Sequence, residues 1–186
     1  MPIQLKTERL VLKQFAETDA ELLFALNTDP DVVKYVGESV YTDMTEVHKS
    51  LARGYEQYEK YKQGRLSVFI KQTGEYIGWC GLRYFPENGR TDLGYRFLKK
   101  HWGKGFATEA SVVCLDYGFN TLGLNEIVAT AMKENSASIH VMKKVGMKYA
   151  GDENCGCNPG VLYVITKDEW NANRPETTGL KGAEQK

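Results

Sequence analysis

The sequence DLGYRFLKKHWGKGFATEA, residues 92–110, decides how this chain folds. Its first part, residues 92–98, is rich in aromatic residues and contains Gly94, which disfavours a helix, so we predict a strand. Its last part opens a helix over residues 108–120, where apolar side chains recur at helical spacing. The loop Gly103-Lys104-Gly105 lies between the strand and the helix.

A strand, a glycine loop and a helix N-terminus in this order predict a binding site for an anion. Glycines let backbone N–H groups approach a ligand closely, and the helix dipole favours negative charge at that end. The expected ligand is a pyrophosphate, and a tight turn that binds nothing is the alternative. The sequence lacks the first glycine of a P-loop before Gly103, and Thr108 stands where a dinucleotide-binding loop has its third glycine. This pattern argues against a nucleotide-binding structural domain.

The nine residues 102–110, WGKGFATEA, resemble the acyl-CoA loop of the GNAT superfamily of N-acetyltransferases. The general pattern of that loop is Q/R-x-x-G-x-G/A, and Trp102 replaces its Gln or Arg. This replacement is typical of the branch similar to the RimJ/RimL ribosomal-protein N-acetyltransferases. The segments T-x-R-L-x-L at residues 7–12 and D-P-x-V-x-x-Y at residues 29–35 are also similar to that branch. The resemblance covers nearly the whole chain up to Trp170.

The resemblance implies an α/β fold of mixed α+β type, with a central mixed sheet of six or seven strands flanked by helices. Its two central strands are expected to splay apart at the acyl-CoA site. The order of elements agrees, since antiparallel strands precede the loop and a strand–loop–helix–strand crossover follows it. Residues 1–170 are predicted as a single domain and the polar residues 171–186 as a disordered tail. We predict the end of a first strand at residues 7–12 and further strands at residues 66–70, 76–84, 92–98, 126–132, 147–150 and 161–165.

Cap and breaker residues predict the remaining helices, over residues 18–27, 43–62 and 136–145, with helical turns at residues 31–36 and 167–170. Asp43 with Glu46 has the spacing of a capping box, and Gly64 is expected to end that helix. Trp170 in the last turn is expected to cover the core.

The composition is that of an ordinary globular protein and argues against several classes of function. The chain has 186 residues with 24 basic and 24 acidic side chains, and its zero net charge argues against a nucleic-acid binder. No window approaches the roughly eighteen apolar residues of a membrane span, so no membrane partner is expected. Residues 1–13 are charged throughout and do not resemble a signal peptide, which favours the cytoplasm.

The four cysteines do not predict a metal site. Cys80 and Cys114 lie among apolar residues and are expected in the core. Cys155 and Cys157 form a C-x-C pair in a glycine-rich loop, without a further Cys or His cluster. Free thiols are expected there, with a redox or adventitious metal role as the alternative. We therefore expect no metal cofactor.

The resemblance implies acetyl-CoA as co-substrate and assigns its contacts by position. The backbone of Phe97 and Leu98 is implied to pair with the pantetheine arm like an added strand. The pyrophosphate is implied to lie in the loop that begins at Trp102, against Gly103, Lys104, Gly105, Phe106, Ala107 and Thr108.

A second segment, residues 135–147, resembles the other conserved motif of the GNAT superfamily, N-x-x-[SA] followed by G-[FM]. It implies that the Asn135 side chain binds the cofactor arm, and a helix cap is the alternative or additional role. It also implies that Lys143 or Lys144 meets the adenosine phosphates.

Acetyl transfer to an amine requires that the amine lose a proton and that the thioester carbonyl be polarised. The resemblance implies that Asp92 acts as the base through a water, and a turn residue is the alternative. A backbone N–H near Leu98 is the expected oxyanion donor. Met142 stands where many members of the superfamily have a tyrosine that protonates the thiolate, so Ser138 is the candidate to assist there.

The resemblance predicts an acetyl-CoA-dependent N-acetyltransferase that moves an acetyl group to a primary amine by direct attack on the thioester. The acceptor is either a protein N-terminal α-amine or a small-molecule amine. The alternatives are a transferase that uses another acyl-CoA, such as succinyl-CoA, and a weakly active or non-catalytic acyl-CoA-binding regulatory module. A homodimer is common in such proteins, although no residue here marks one.

Overall fold

The structure is a computed structural model that describes residues 2–35 and 40–173. Eight strands form one sheet in these residues. They are β1 (Gln4–Lys6), β2 (Leu10–Gln14), β3 (Arg65–Ile70), β4 (Tyr76–Phe85), β5 (Arg90–Phe97), β6 (Glu126–Met132), β7 (Lys148–Asp152) and β8 (Gly160–Thr166). The described α-helices are α1 (Ala20–Thr28), α2 (Pro30–Val33), α3 (Met44–Tyr61), α4 (Phe106–Asp116), α5 (Ser136–Lys144) and α6 (Lys167–Asn173).

The sheet has the order β1-β2-β3-β4-β5-β6-β8-β7, and β5 pairs with β6 in parallel. The predicted mixed sheet flanked by helices is therefore confirmed. It has eight strands instead of six or seven because the chain turns at Thr7. The Thr7 N–H donates to the Leu10 carbonyl oxygen at 3.0 Å, and the Leu10 N–H donates to Thr7 Oγ1 at 2.9 Å. This turn separates β1 from β2. The two strands pair antiparallel, with Gln4 of β1 in register with Lys13 of β2.

The parallel pair is short, and its divergence opens the sheet. Asp92 of β5 is in register with Val128 of β6, and no other residue of β5 has such a partner among the described residues. Beyond this point β5 follows β4 as far as Phe97, whereas β6 follows β8 as far as Met132. The predicted splay of the central strands therefore begins just after Asp92.

Two apolar clusters hold the helices on the sheet. The larger includes the fully buried Leu115 of α4 and Phe119. Trp170 of α6 is 1% exposed and its ring lies 6.0 Å from that of Phe119, so it covers the core as predicted. The smaller cluster joins α1 to α3 through Leu26 and Leu51. Each such side chain contributes about 1.5–3 kcal/mol to stability on burial.

The ends of α3 differ from the prediction in two details. The Asp43 carboxylate caps the helix, but Glu46 accepts from the Thr42 N–H at 3.0 Å, one residue before the cap. The helix is followed by Lys62 in the left-handed conformation (φ 55°), and the chain does not need Gly64 for that step. Gly64 is needed for space, because a Cβ atom there would lie 2.1 Å from the ring of a tyrosine in α3.

The last helix continues past Trp170 to Asn173, into the segment that was predicted as a tail. Residues 174–186 of that prediction lie outside the described residues. So does the end of the helical turn predicted over residues 31–36, where α2 covers Pro30–Val33. No described helix is both long and apolar enough to cross a membrane.

Cys80, Cys114 and Cys157 are free thiols. Cys80 and Cys114 are buried as predicted, and their Sγ atoms lie 3.8 Å apart. Cys155 and Cys157 lie in the loop between β7 and β8. No group of three or more metal-ligating side chains occurs in the part of the chain that the structure describes.

Candidate active site

The loop after β5 has the backbone form that its glycines predict. β5 ends at Phe97, a short turn covers Lys99–His101, and α4 begins at Phe106. Gly103 (φ 74°) and Gly105 (φ 80°) are left-handed, a conformation that costs other residues about 1–2 kcal/mol. A Cβ atom added to Gly103 would meet nothing within 4 Å. Gly103 is therefore needed for its backbone conformation, and the space beside it is open.

The backbone N–H groups of the loop are available to a ligand. Within the described residues, no backbone carbonyl accepts from the N–H groups of Gly103, Lys104 or Gly105. The first N–H groups of α4 have no intrahelical partner either, because nothing precedes them in the helix. The N-terminus of a helix also carries partial positive charge. The loop and α4 together fit an anion such as a pyrophosphate.

A clamp between two distant segments holds the loop in place. Glu109 of α4 accepts from the backbone N–H of Arg9 at 2.9 Å and from Arg9 Nε at 2.6 Å. Arg9 Nη1 donates to the carbonyl oxygen of Lys104 at 3.0 Å, and its guanidinium lies 4.6 Å from the centre of the Phe106 ring. The T-x-R-L-x-L segment therefore fixes the loop to the sheet, a role that the sequence did not reveal.

The end of β5 differs from the prediction at Leu98. The Leu98 N–H donates to the Ile77 carbonyl oxygen of β4 at 2.9 Å, so it is not available as an oxyanion donor. Because hydrogen bonds alternate along an antiparallel strand, the N–H of Phe97 points away from β4, toward the splay. The Phe97 carbonyl oxygen accepts from the indole Nε1 of Trp102 at 2.7 Å, which gives this tryptophan a structural role.

Two cavities of about 460 Å³ each meet at the splay. The first, which we call the loop cavity, is lined by the glycine loop and the first turns of α4 and α5. The second, the strand cavity, is lined by β5, β6 and residues 153–156. They share Tyr35, Tyr95, Arg96, Asn135 and Ser138, so the two cavities adjoin at these residues.

The loop cavity gathers most of the predicted cofactor-binding residues. Leu98, Lys104 and Lys143 are not in its lining. Lys144 lines the cavity in place of Lys143, because helical spacing puts Lys144 on the same face of α5 as Val141. The predicted residues that do line it are Phe97, Trp102, Gly103, Gly105, Phe106, Ala107, Thr108 and Asn135.

Asp92 lines the strand cavity from within β5. The alternative of a turn residue is therefore wrong, since β5 already begins at Arg90. The carboxylate forms an ion pair with Arg65, whose Nη1 also donates to the Asp92 carbonyl oxygen at 3.0 Å. Among the described residues the bond to the carboxylate goes through Oδ1 only. Oδ2 is left able to accept a bond from a water or an amine.

Ser138 and Tyr95 meet where the two cavities join. Their hydroxyl oxygens are 2.9 Å apart, and the Tyr95 hydroxyl donates to the Ser138 carbonyl oxygen at 3.0 Å. Burial raises the pKa of Tyr95, so its hydroxyl keeps its proton at neutral pH. Asn135 Oδ1 accepts from the Ser138 N–H at 3.1 Å, which confirms the cap role of Asn135.

Tyr95 belongs to this site, and it was not predicted from the sequence. Met142 is buried and its thioether carries no hydroxyl, so none comes from the position where many GNAT proteins have a tyrosine. Tyr95 brings a hydroxyl to the junction of the cavities from β5 instead. The alternation along β5 was the available signal, because it puts Tyr95 on the same face as the buried Leu93 and Phe97.

Comparison with known proteins agrees with this geometry. Residues 9–148 match the acetyltransferase (GNAT) domain. The chain is 36% identical over 148 residues to the Uncharacterized N-acetyltransferase p20 of Bacillus licheniformis, covering 79% of this chain and 83% of that protein. A GNAT-family acetyltransferase from Bacillus anthracis has a TM-score of 0.74 and 27% identity, over 89% of this chain and 99% of its own. A spermidine N-acetyltransferase from Vibrio cholerae, solved with CoA and spermine, has a TM-score of 0.73 and 21% identity, with the same coverage of both chains.

The chain belongs to the GNAT family of acetyltransferases. Its members are N-acyltransferases that depend on acyl-CoA, and the family uses acetyl-CoA and amine acceptors. Donor and acceptor must meet at one point in such a reaction. Of the described residues, those shared by the loop cavity and the strand cavity lie where a donor in one and an acceptor in the other would meet.

Proposed function

We propose that this protein transfers the acetyl group of acetyl-CoA to a primary amine by direct attack of the amine on the thioester. The observation that carries the proposal is the meeting of the two cavities at Tyr95 and Ser138. A donor in the loop cavity and an acceptor in the strand cavity would be held in contact, which lowers the entropic cost of their encounter. Acetyl-CoA, when bound, supplies the acetyl group as an activated thioester.

The residues of the loop cavity suit this co-substrate chemically. The N–H groups of the glycine loop and of the first turn of α4 bind the pyrophosphate. Lys144 at the end of α5 adds positive charge beside them. The Phe97 carbonyl oxygen, which has a second lone pair beside its bond from Trp102, and the side-chain amide of Asn135 bind the amide-containing arm, as an edge strand binds an added peptide.

Tyr95 and Ser138 stabilise the sulfur as it gains negative charge. The Tyr95 hydroxyl can donate to the Ser138 hydroxyl oxygen instead of the Ser138 carbonyl oxygen, and the Ser138 hydroxyl then donates its own proton in a hydrogen bond to the sulfur. Tyr95 keeps its own proton, because a thiol with a pKa near ~8.5 is a stronger acid than this buried phenol. The N–H of Phe97, on the splayed side of β5, is the proposed oxyanion donor.

Asp92 is the proposed general base, accepting the amine proton through a water at Oδ2. We expect Asp92→Asn to lower kcat by about 10²–10⁴, the usual range for loss of a general base. Asp152→Asn is the control. It also breaks an ion pair of an aspartate, but this pair, between Asp152 and Lys133, lies on the surface. Unchanged turnover of Asp92→Asn with every amine would remove the assignment.

The proposed acceptor is a protein N-terminal α-amine or a small-molecule amine. The WGKGFATEA segment supports a place in the RimJ/RimL-like branch. The Vibrio cholerae protein of similar fold is named for spermidine, a small-molecule amine. We further propose a single domain over residues 1–170 in a cytoplasmic protein that can form a homodimer.

A second candidate is a weakly active acyl-CoA-binding regulatory module. Met142 at the usual tyrosine position favours it, and so does the ion pair that occupies Asp92. This candidate predicts that acetyl-CoA or another acyl-CoA binds while amines release no thiol.

Thermal unfolding with added ligands tests both candidates. Acetyl-CoA, CoA, succinyl-CoA, ATP and NAD are each added at saturation, where a ligand at ~100 times its Kd adds about 2.7 kcal/mol of stability. We expect acetyl-CoA to raise Tm most and a panel of primary amines then to release thiol. Stabilisation without thiol release would favour the binding module. No stabilisation by any CoA species would contradict both candidates.

A further inference from the structure

A third cavity of about 160 Å³ adjoins the strand cavity. We call it the arginine pocket, because its lining includes Arg53 of α3, Arg65 of β3, Arg83 of β4 and Arg96 of β5. It shares Arg65, Trp79 and Arg96 with the strand cavity. The arginine pocket and the strand cavity therefore adjoin at these three side chains.

Arg53 and Arg83 bring two guanidinium groups to the arginine pocket, beside Arg65 and Arg96. Among the described residues that line it, none is acidic. The carboxylates of Asp92 and Glu87 line the strand cavity instead, where Asp92 pairs with Arg65. Among the described residues, the guanidinium groups of Arg53 and Arg83 therefore lie in the arginine pocket, and the carboxylates lie in the strand cavity.

Arg53 and Arg83 make contacts with neutral groups. Arg53 Nη2 donates to the Ser50 hydroxyl at 2.9 Å, and the Arg83 guanidinium lies 4.4 Å from the centre of the Phe85 ring. Neither forms an ion pair with a carboxylate within the described residues. Burial lowers the pKa of the half-buried Arg83, and repulsion by Arg65 and Arg53 adds to this. A bound anion would attract the Arg83 guanidinium and so offset both the cost of its burial and the repulsion from Arg65 and Arg53.

We propose that the arginine pocket binds a carboxylate or phosphate group carried by the acceptor amine. This proposal rests on the proposed function, since it assigns the acceptor of that reaction. Guanidinium groups bind both anions through pairs of N–H donors. The substrate class is then a small amine with an anionic end, whose amine lies in the strand cavity beside Asp92.

The same charges discriminate against polyamines. A polyamine would place a second cation among the arginines, and like charges in a partly enclosed site repel strongly. The small volume of the pocket suits a single carboxylate or phosphate better than a length of polypeptide. The acceptor class therefore differs from that named for the Vibrio cholerae protein of similar fold.

Matched pairs of amines test the proposal through thiol release at saturating acetyl-CoA. The pairs are O-phosphoethanolamine with ethanolamine and β-alanine with β-alaninamide, and spermidine is the cationic probe. We expect the anionic member of at least one pair to have a kcat/KM about tenfold or more above its neutral partner. The phosphate pair and the carboxylate pair show which anion is preferred.

Arg83→Gln and Arg53→Gln each remove one guanidinium from the pocket. We expect the KM for the anionic amine to rise about tenfold, with kcat little changed, so that its advantage over the neutral partner falls. Lys60→Gln is the control, because Lys60 is exposed on the same helix as Arg53 and lines none of these cavities. Retained stabilisation by acetyl-CoA in each variant shows that the fold and the loop cavity are intact.

Binding without turnover separates this proposal from the proposed function. With the protein saturated by CoA, no acetyl group is present, and we expect the preferred anionic amine to raise Tm in the native protein but not in Arg83→Gln. A preference for spermidine or for neutral amines would contradict the proposal that the arginine pocket binds an anion, and so would an anion preference that survives in Arg83→Gln. Neither result would contradict the proposed function. Absence of thiol release with every amine would contradict the proposed function. The Tm measurements with CoA-saturated protein would still show whether the arginine pocket binds an anionic amine.

Discussion

Among single residues, Gly103 can be tested for two effects of an alanine: backbone strain, which lowers stability, and damage to the loop, which weakens acetyl-CoA binding. Gly103→Ala and Gly123→Ala both place alanine at a left-handed φ, 74° and 71°, with nothing within 4 Å of the new Cβ atom. Each should lose about 1–2 kcal/mol of unfolding free energy in urea. Only Gly103 lines the loop cavity, so only Gly103→Ala should raise the Kd for acetyl-CoA in calorimetry. Equal Kd values for the two variants would contradict the assignment of the loop.

Tyr95 offers the sharpest test of the chemistry. Tyr95→Phe removes the hydroxyl at the junction of the cavities, and we expect kcat to fall about tenfold or more while the KM for acetyl-CoA stays unchanged. Tyr117→Phe is a matched control, because the Tyr117 hydroxyl donates to the Lys62 carbonyl oxygen at 2.6 Å, away from these cavities. An equal loss of kcat in both variants would point to a structural role for Tyr95.

Single residues could be predicted from the sequence where their role is local. The glycines of residues 102–110 act through their own backbone, and Asn135 caps the helix that follows it. Tyr95 and Ser138 were not paired, because they come from β5 and α5 and meet only in the folded chain. The arginine pocket was missed for the same reason, since its arginines come from four different elements.

Among the elements, the clamp between β2 and α4 explains why two separate sequence motifs occur together. Glu109→Gln keeps the shape of the side chain but weakens its bonds to Arg9, and we expect about 1–3 kcal/mol lower stability together with a higher Kd for acetyl-CoA. Glu56→Gln is the control, because it breaks an exposed pair with Lys60 within one helix. Chemical unfolding and acetyl-CoA titration measure both effects. A Kd that is unchanged in Glu109→Gln would show that the loop holds its form without the clamp.

Element boundaries depend on contacts that a local pattern does not contain. The hydrophobic pattern located the strands of the sheet, but the bond from the Leu10 N–H to the Thr7 hydroxyl adds β1 as a separate strand. α4 begins at Phe106, two residues before the predicted start, because Gly105 itself serves as its N-cap. α3 ends in a left-handed Lys62, since Gly64 is reserved for close packing against α3.

For the whole molecule, the splay of one parallel strand pair opens the sheet where the loop cavity and the strand cavity lie. The fold class was predictable because the order of strands, loop and helix allows few topologies. The charge of the site was not, because a net charge of zero hides its uneven distribution. Arginines from α3, β3, β4 and β5 converge on one pocket only after the sheet has formed.

The last helix makes the stability of the whole molecule depend on pH. Glu169 of α6 accepts from Lys148 Nζ of β7 at 2.6 Å and from the Thr166 N–H at 3.0 Å. These bonds lower the Glu169 pKa from 4.5 to about 2. Between those pH values the unfolded chain binds a proton at Glu169 that the folded chain does not. The free energy of unfolding therefore falls as the pH falls from about 4.5 to about 2.

Replacing Glu169 tests this link between α6 and the sheet. In Glu169→Gln the side chain no longer titrates, so the urea midpoint should fall less between about pH 6 and about pH 3 than in the native protein. The variant should be less stable at about pH 6, where the native carboxylate is ionised and bonded, and the two proteins should converge as the pH falls. Asp168→Asn, which removes the neighbouring exposed carboxylate, should leave most of the native pH dependence in place. An undiminished pH dependence in Glu169→Gln would mean that other carboxylates control acid unfolding, and that the contact of α6 with β7 matters little to the fold.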